Sequence, residues 1–116
     1  MKKITDKTFI KFIKEMIIDF KSTGFPIMGN TKNLLKVLKQ IKKTKCINIQ
    51  SAIILYNYVD QKIKLGLDFH LYHINRPNIA IQLMIEWEYI KAWIENNFIV
   101  TVEDMLIIIS VKEEEL

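Results

Sequence analysis

RPNIAIQLMIEWEYIKAWIENN, residues 76–97, is predicted to be the central helix of the fold. Pro77 suits the first turn of a helix, because the N–H that proline lacks has no helical partner at that position. One apolar stripe follows the helical period and consists of Ile79, Leu83, Trp87, Ile90 and Ile94. A second stripe consists of Ile81, Met84, Ile85 and Trp93. Since apolar residues surround most of its circumference, the segment is expected to lie in the core of a mainly α domain.

Three further helices are predicted before this segment, near residues 5–22, 31–44 and 48–65. The first can be capped by Thr5 or Asp6, and its apolar face consists of Phe9, Phe12, Ile13, Met16, Ile17 and Phe20. STGFPIMGNT, residues 22–31, has the glycine and proline content of a loop, and Asn30 or Thr31 can cap the second helix. Gly66 can end the third helix, whose buried stripe is expected to be Ala52, Ile53, Tyr56, Val59 and Ile63.

Two segments allow more than one structure. In LDFHLYHIN, residues 67–75, alternation of Phe69, Leu71 and His73 favours a strand, whereas Asp68 is a suitable N-cap for a brief helix. In the tail from residue 98 onwards, FIVTV and MLIIISV can pair as a β-hairpin across a turn at 103–104. The same tail matches a capping signature from residue 101 to 104, which would begin a helix instead.

IKAWIENNFIVTVEDMLIIIS, residues 90–110, resembles the end of a winged-helix domain, in which a recognition helix runs into a small β-hairpin wing. The residues that carry this resemblance are Ile90, Trp93, Ile94, Phe98, Ile99, Val102 and Ile107. The resemblance covers less than a quarter of the chain. It implies a nucleic-acid-binding fold with a C-terminal hairpin, although the matching helix carries three acidic residues, Glu86, Glu88 and Glu95.

The length of 116 residues predicts one domain, residues 1–116, built as a bundle of four to six helices with a C-terminal hairpin as one alternative. Half of the residues are hydrophobic, which is enough to form a dense core. No apolar run approaches the roughly 18 residues of a membrane-spanning helix. The single cysteine, Cys46, fits a reducing compartment. The expected location is the cytoplasm, or the host cytoplasm if the chain is encoded by a virus.

The charge of the chain is divided unevenly along the sequence. Residues 1–45 contain twelve lysines and three acidic residues, a net charge of +9. Residues 46–116 contain five basic and ten acidic residues, a net charge of −5. Lysine outnumbers arginine sixteen to one, which is typical of an AT-rich coding sequence. Such asymmetry indicates an interaction surface in the first part of the chain.

The candidate surface lies in TKNLLKVLKQIKKTK, residues 31–45, which contains six lysines and no acidic residue. Four of the lysines recur at helical spacing, opposite the apolar side of the predicted helix. Exposed helices usually mix acids with lysines, because like charges four residues apart repel each other. We therefore predict that an anionic partner, nucleic acid or an acidic protein surface, binds to Lys32, Lys36, Lys39, Lys42, Lys43 and Lys45.

No catalytic signature is present, and we expect a protein that is not an enzyme and needs no cofactor and no metal. The three glycines lie too far apart for a phosphate-binding loop. His70, His73 and Cys46 could supply metal ligands, but a fourth ligand at a recognisable spacing is missing. We interpret the two histidines as partly exposed packing residues. Glu86 and Glu88 are two residues apart on a helix, so they do not form a carboxylate pair.

Two functions remain open. The first is a small regulatory protein that binds nucleic acid through the lysine-lined helix. The alternative is a protein-binding inhibitor, adaptor or immunity-type protein, of the kind common on phages and mobile elements, that occludes a larger partner. A homodimer belongs to this alternative, since leftover apolar surface tends to become an interface. Binding of the first helix to an anionic membrane surface is a minor third hypothesis.

Overall fold

The computed structural model describes residues 1–22 and 29–112. Five helices and two antiparallel strand pairs lie in these ranges, which confirms a mainly α fold with a C-terminal β-hairpin. The chain divides into two compact units, Met1–Leu55 (unit 1) and Tyr56–Leu116 (unit 2), and each unit is described by itself. The boundary falls inside the third helix, and the single domain stays a prediction.

Unit 1 contains two packed helices, α1 (Lys7–Ser22) and α2 (Gly29–Thr44). The strands β1 (Lys2–Lys3) and β2 (Cys46–Ile47) pair antiparallel before α1 and after α2. The backbone N–H of Ile4 also donates to the carbonyl of Lys45 at 2.8 Å. This pairing brings the beginning of α1 close to the end of α2. The sequence did not predict it, because two-residue strands have no detectable periodicity.

Asp6 caps α1 as expected, because its Oδ1 accepts a hydrogen bond from the backbone N–H of Phe9 at 3.0 Å. The start predicted for α2 was wrong. The helix begins at Gly29, two residues earlier than predicted, so Asn30 and Thr31 lie in its first turn and not before it. Gly, Asn and Thr are all found both just before a helix and in its first turn. The residue types alone therefore do not determine which residue is the first of the helix. The rest of the predicted loop, 23–28, lies outside the described residues.

The core of unit 1 comes from the predicted apolar faces. Every residue predicted for the face of α1 is buried except Phe20, which is half-buried. The buried apolar residues of α2 are Leu34, Val37, Leu38 and Ile41. Burying side chains of this size contributes about 1.5–3 kcal/mol each, which explains why the helical period predicted both helices well.

Unit 2 contains most of α3 (Ile49–Leu65), then α4 (Leu67–His73), α5 (Pro77–Asn97), β3 (Phe98–Glu103) and β4 (Leu106–Val111). The strand predicted as one alternative for residues 67–75 was wrong, because α4 occupies this segment. Asp68 lies in the first turn of α4, and Gly66 is the N-cap. Gly66 therefore follows the last residue of α3, as predicted, and it is also the N-cap of α4.

α5 has one buried side instead of two. Leu83, Trp87, Ile90 and Ile94 are buried as predicted, and Ile79 is half-buried. In the second predicted stripe, Met84 and Trp93 are half-buried, whereas Ile81 and Ile85 are 45% and 49% exposed. Ala80 and Glu86 complete the buried side, so an acidic residue lies where an apolar one was expected. The prediction failed because residue type alone does not tell which side of an apolar helix meets solvent.

The tail forms a hairpin, and the helix considered as its alternative was wrong. β3 and β4 pair antiparallel from Phe98 opposite Val111 to Glu103 opposite Leu106. The turn consists of Asp104 and Met105, one residue later than predicted. Their φ angles of 50° and 66° are typical of the two-residue turns that match strand twist. The hairpin follows α5 directly, which is the order of elements in the winged-helix resemblance.

Replacing Gly66 with alanine is expected to destabilise the protein by about 1–3 kcal/mol, because its φ of 85° and ψ of 158° lie in a region open essentially to glycine alone. A Cβ atom would meet nothing within 4 Å, so the whole effect comes from the backbone. Urea unfolding measures it, with Gln61→Ala in α3 as an exposed control that should be nearly neutral. A neutral Gly66→Ala would show that the chain adopts another backbone conformation here.

Candidate functional site

The lysine face of α2 is exposed to solvent. Lys32, Lys36, Lys39, Lys42 and Lys43 are all exposed. Four of them, Lys32, Lys36, Lys39 and Lys43, lie on the side of the helix opposite its buried residues, and Lys42 lies on the flank. The cationic side is thus set by the way the apolar side of α2 packs in unit 1.

In the part of the chain that the structure describes, no acidic side chain pairs with this face. α2 contains no aspartate or glutamate, and none of its lysines forms an ion pair with a carboxylate of the described residues. Elsewhere the chain does use such pairs, for example Lys11 with Glu15 and Lys64 with Asp60. Repulsion between lysines four apart costs a few tenths of a kcal/mol per pair. The face therefore holds positive charge that no carboxylate of the described ranges pairs with.

Lys45 differs from the other five lysines. It follows the end of α2, is half-buried, and has a φ of 56°. Its Nζ donates to the carbonyl oxygen of Lys42 at 2.6 Å, which satisfies a carbonyl in the last turn of the helix. The ammonium is thereby fixed at the junction of α2 and β2. From the sequence, Lys45 was predicted to belong to the same surface as the other lysines. The spacing of residues along a helix does not reveal that a residue just after the helix end has a left-handed backbone conformation.

A charged cluster in unit 2 could not be predicted from the sequence, which indicated no role for Asp60. Asp60 is 7% exposed, and its carboxylate lies 3.0 Å from Lys91 Nζ and 2.9 Å from Lys64 Nζ. Nearby, the hydroxyl of Tyr56 donates to Glu95 Oε1 at 2.9 Å. Lys91 lies 31 residues after Asp60, so no local pattern could have revealed the pair. The cluster links α3 to α5.

The cluster lowers the pKa of Asp60 and raises the pKa of Tyr56. Burial alone would raise the pKa of Asp60, but the hydrogen bonds and charges of Lys64 and Lys91 outweigh it and lower that pKa. Burial, followed by the hydrogen bond to Glu95 and the nearby carboxylates, raises the pKa of Tyr56. Asp60 therefore stays ionised and Tyr56 stays a hydrogen-bond donor at neutral pH. These groups serve the packing of α3 on α5.

Asp60→Asn is expected to destabilise the protein by about 1–3 kcal/mol at pH 7, because hydrogen bonds to charged groups are lost. The folded pKa of Asp60 lies below its ordinary 3.8. Its contribution is therefore present above pH 3.8 and is lost as pH falls through the folded pKa. Urea unfolding of both proteins should give curves that converge in acid. A difference that persists well below the folded pKa would contradict this assignment.

The other candidate residues do not form a site. His70 is 4% exposed, in contrast to the partial exposure predicted for it. Its Nε2 lies 2.8 Å from the carbonyl oxygen of Lys62, and its ring centroid lies 4.8 Å from that of Trp87, so it packs inside unit 2. His73 is exposed, and Cys46 is half-buried in unit 1. Within residues 1–22 and 29–112, no group of three His, Cys, Asp or Glu side chains could hold a metal ion.

Comparison with known proteins gives no relative: no family model, no curated protein and no solved structure matches the chain. Among the helices of the described ranges, none combines the length and the apolar character needed to cross a membrane. Function is therefore inferred from the lysine face of α2.

Proposed function

We propose that this protein is a small, non-enzymatic binding protein that contacts the phosphate groups of nucleic acid through the lysine face of α2. The observation that carries the proposal is the set of five exposed lysines, which form no ion pair with any carboxylate of the described residues. A helix rises 1.5 Å per residue, so Lys32 and Lys43 lie about 16 Å apart along the axis. A row of that length can reach several phosphates, because each DNA strand carries one per 3.4 Å of duplex axis.

The chemistry of lysine predicts binding without sequence preference. An ammonium contacts phosphate as a point charge, whereas arginine, asparagine and glutamine read base edges with paired hydrogen bonds. The chain has one arginine, Arg76, and it lies in unit 2. Contact with phosphates gives affinity and register but little discrimination between bases. A regulatory role in the cytoplasm, or in a host cytoplasm, agrees with such an activity.

Fluorescence anisotropy of a labelled short duplex at two salt concentrations tests the proposal. Four lysine–phosphate contacts give a slope of log K against log salt of about −3.6. A rise from about 50 to 200 mM salt should therefore weaken binding roughly 100-fold. Duplexes of different sequence should bind equally. Absence of any anisotropy change at low salt would end the proposal.

A protein partner is the second candidate, and the exposed apolar residues of the hairpin favour it. Val102, Met105 and Leu106 are 67%, 95% and 68% exposed. Exposed apolar side chains are common in protein interfaces, and the partner could be an acidic protein or a second copy of the chain. Sedimentation at increasing protein concentration tests whether a second copy of the chain is the partner. If Leu106→Ser leaves an observed dimer unchanged, the hairpin is not its interface.

A further inference from the structure

The strand β4 has one edge that no other strand covers. Among the described residues its sheet contains two strands, so β4 pairs with β3 on one side only. On the other side, no backbone hydrogen bond joins β4 to any other part of the described chain. An edge of this kind presents unpaired N–H and C=O groups, which are a template for a strand of another chain. We call it the β4 edge.

The turn of the hairpin determines which backbone groups lie on the β4 edge. A two-residue turn closes on a hydrogen-bonded pair, and this pair is Glu103 with Leu106. Along an antiparallel ladder, hydrogen-bonded pairs alternate with pairs that have no hydrogen bond between them. The backbone groups of every second residue of β4 therefore point away from β3, and these residues are Ile107, Ile109 and Val111.

β4 lacks the features by which proteins usually protect a strand edge, namely charged side chains, proline and bulges. LIIISV, residues 106–111, contains no charged residue and no proline, and its register with β3 is unbroken. β3 differs, because it ends in Glu103. Two side chains of β4, Leu106 and Ile108, are 68% and 42% exposed. The β4 edge is thus open and flanked by apolar surface.

We infer that β4 pairs antiparallel with β4 of a second copy of the chain, which joins two hairpins into one four-stranded sheet. This inference does not depend on nucleic-acid binding, and it names the contact through which a second copy binds. The strand that fits the β4 edge is apolar, uncharged and about six residues long, and β4 itself meets each condition. Antiparallel pairing of identical strands is two-fold symmetric, so both copies use the same edge and the assembly closes at two.

Pairing centred on Ile109 uses every outward backbone group of the β4 edge. Ile109 then lies opposite Ile109 of the second copy, and Ile107 lies opposite Val111 of the second copy. On the other face of the sheet, Ile108 lies opposite Ser110 of the second copy, and both residue positions are exposed in one chain. Directly opposite side chains of antiparallel strands contact each other and stabilise the pairing.

The surface of the hairpin predicts a weak dimer. Its exposed apolar residues are Ile99, Val102, Met105, Leu106 and Ile108. Their exposed fractions amount to about three whole side chains, or roughly 200–350 Å² per copy, whereas a stable complex buries about 800 Å² per partner. Acidic residues also precede and follow β4 in the sequence, and antiparallel pairing brings these like charges together. We expect a dissociation constant above about 1 μM.

Sedimentation velocity from about 10 μM to 1 mM protein tests the pairing with two matched variants. Ile108→Lys should raise the dissociation constant of the dimer by about 10-fold or more, because the two introduced lysines lie close together across the two-fold axis. Thr101→Lys is the control, since Thr101 is exposed and lies directly opposite Ile108 on β3. It adds the same charge beside the other edge and should have little effect. A wild-type protein that stays monomeric, or equal effects of the two variants, would overturn the inference.

Amide hydrogen exchange of the wild-type protein at low and high concentration locates the contact without any substitution. The N–H groups of Ile107, Ile109 and Val111 should exchange more slowly at high concentration, because pairing protects them. The outward N–H groups of β3, those of Val100 and Val102, should not change. Protection of β3 instead would assign the dimer to the other edge and overturn the inference. A monomer that binds duplex would keep the proposed function and lose this inference, and a β4-paired dimer that binds no duplex would do the reverse.

Discussion

Lys36→Glu combined with Lys39→Glu is expected to weaken duplex binding by about 100-fold at 50 mM salt. A slope of about −0.9 per neutralised phosphate makes each lost contact worth roughly 10-fold or more at this salt concentration. Two contacts are lost, and the introduced carboxylates then repel the phosphates that the lysines attracted. Both residues are exposed and make no ion pair with described residues, so the loss would come from the binding surface itself.

The same double variant should fold at least as well as the wild-type protein. Each glutamate would lie four residues from a remaining lysine, Lys32 or Lys43, and such pairs stabilise a helix by about 0.2–0.5 kcal/mol. Lys36→Arg with Lys39→Arg keeps the charge and should keep the affinity. A drop in melting temperature for the glutamate variant would show that the lysines have structural contacts. An unchanged affinity would show that the face is merely solvated.

Trp87→Ala is expected to destabilise the protein by about 3–5 kcal/mol, which is a large part of the total stability of a small domain. Trp87 is 4% exposed, and its ring lies 4.8 Å from that of His70, which is also buried. Alanine would remove the ring and leave a cavity that α4 and α5 could close only in part. Urea unfolding followed by circular dichroism measures the change.

Trp93 on the same helix provides the matched control. It is half-buried, and its ring centroid lies 6.5 Å from that of Phe98. Trp93→Ala should therefore cost clearly less than Trp87→Ala, because a partly exposed ring loses less burial and leaves less of a cavity. Equal costs for the two substitutions would contradict the assignment of Trp87 to the core.

The sequence predicted the long helices because their apolar residues recur every three or four positions over four turns or more. The apolar face of α1 and the first stripe of α5 are examples. Asp6 and Gly66 also correctly predicted the start of α1 and the end of α3. The sequence did not decide between a hairpin and a helix for the tail. Its β-branched residues favour a hairpin, but they also follow a capping signature that would begin a helix. Two positive φ angles at Asp104 and Met105 decide it, and no sequence pattern specifies these with certainty.

Features that depend on distant contacts were not predictable. β1 pairs with a strand more than 40 residues away, and Asp60 meets Lys91 only after α3 packs on α5. For the candidate site the sequence was sufficient to place the lysine face, because the opposite side of α2 is cleanly apolar. It could not show that α1 packs against α2, because no local pattern specifies which helices pack together.

The salt dependence of duplex binding by two matched variants tests the central claim most directly. Lys36→Gln with Lys39→Gln should change the slope of log K against log salt from about −3.6 to about −1.8. Gln61→Glu with Asn75→Asp lowers the net charge equally at exposed positions of unit 2, and its slope should stay that of the wild type. If both variants change the slope alike, binding follows net charge and not the face of α2, and the proposed function is contradicted.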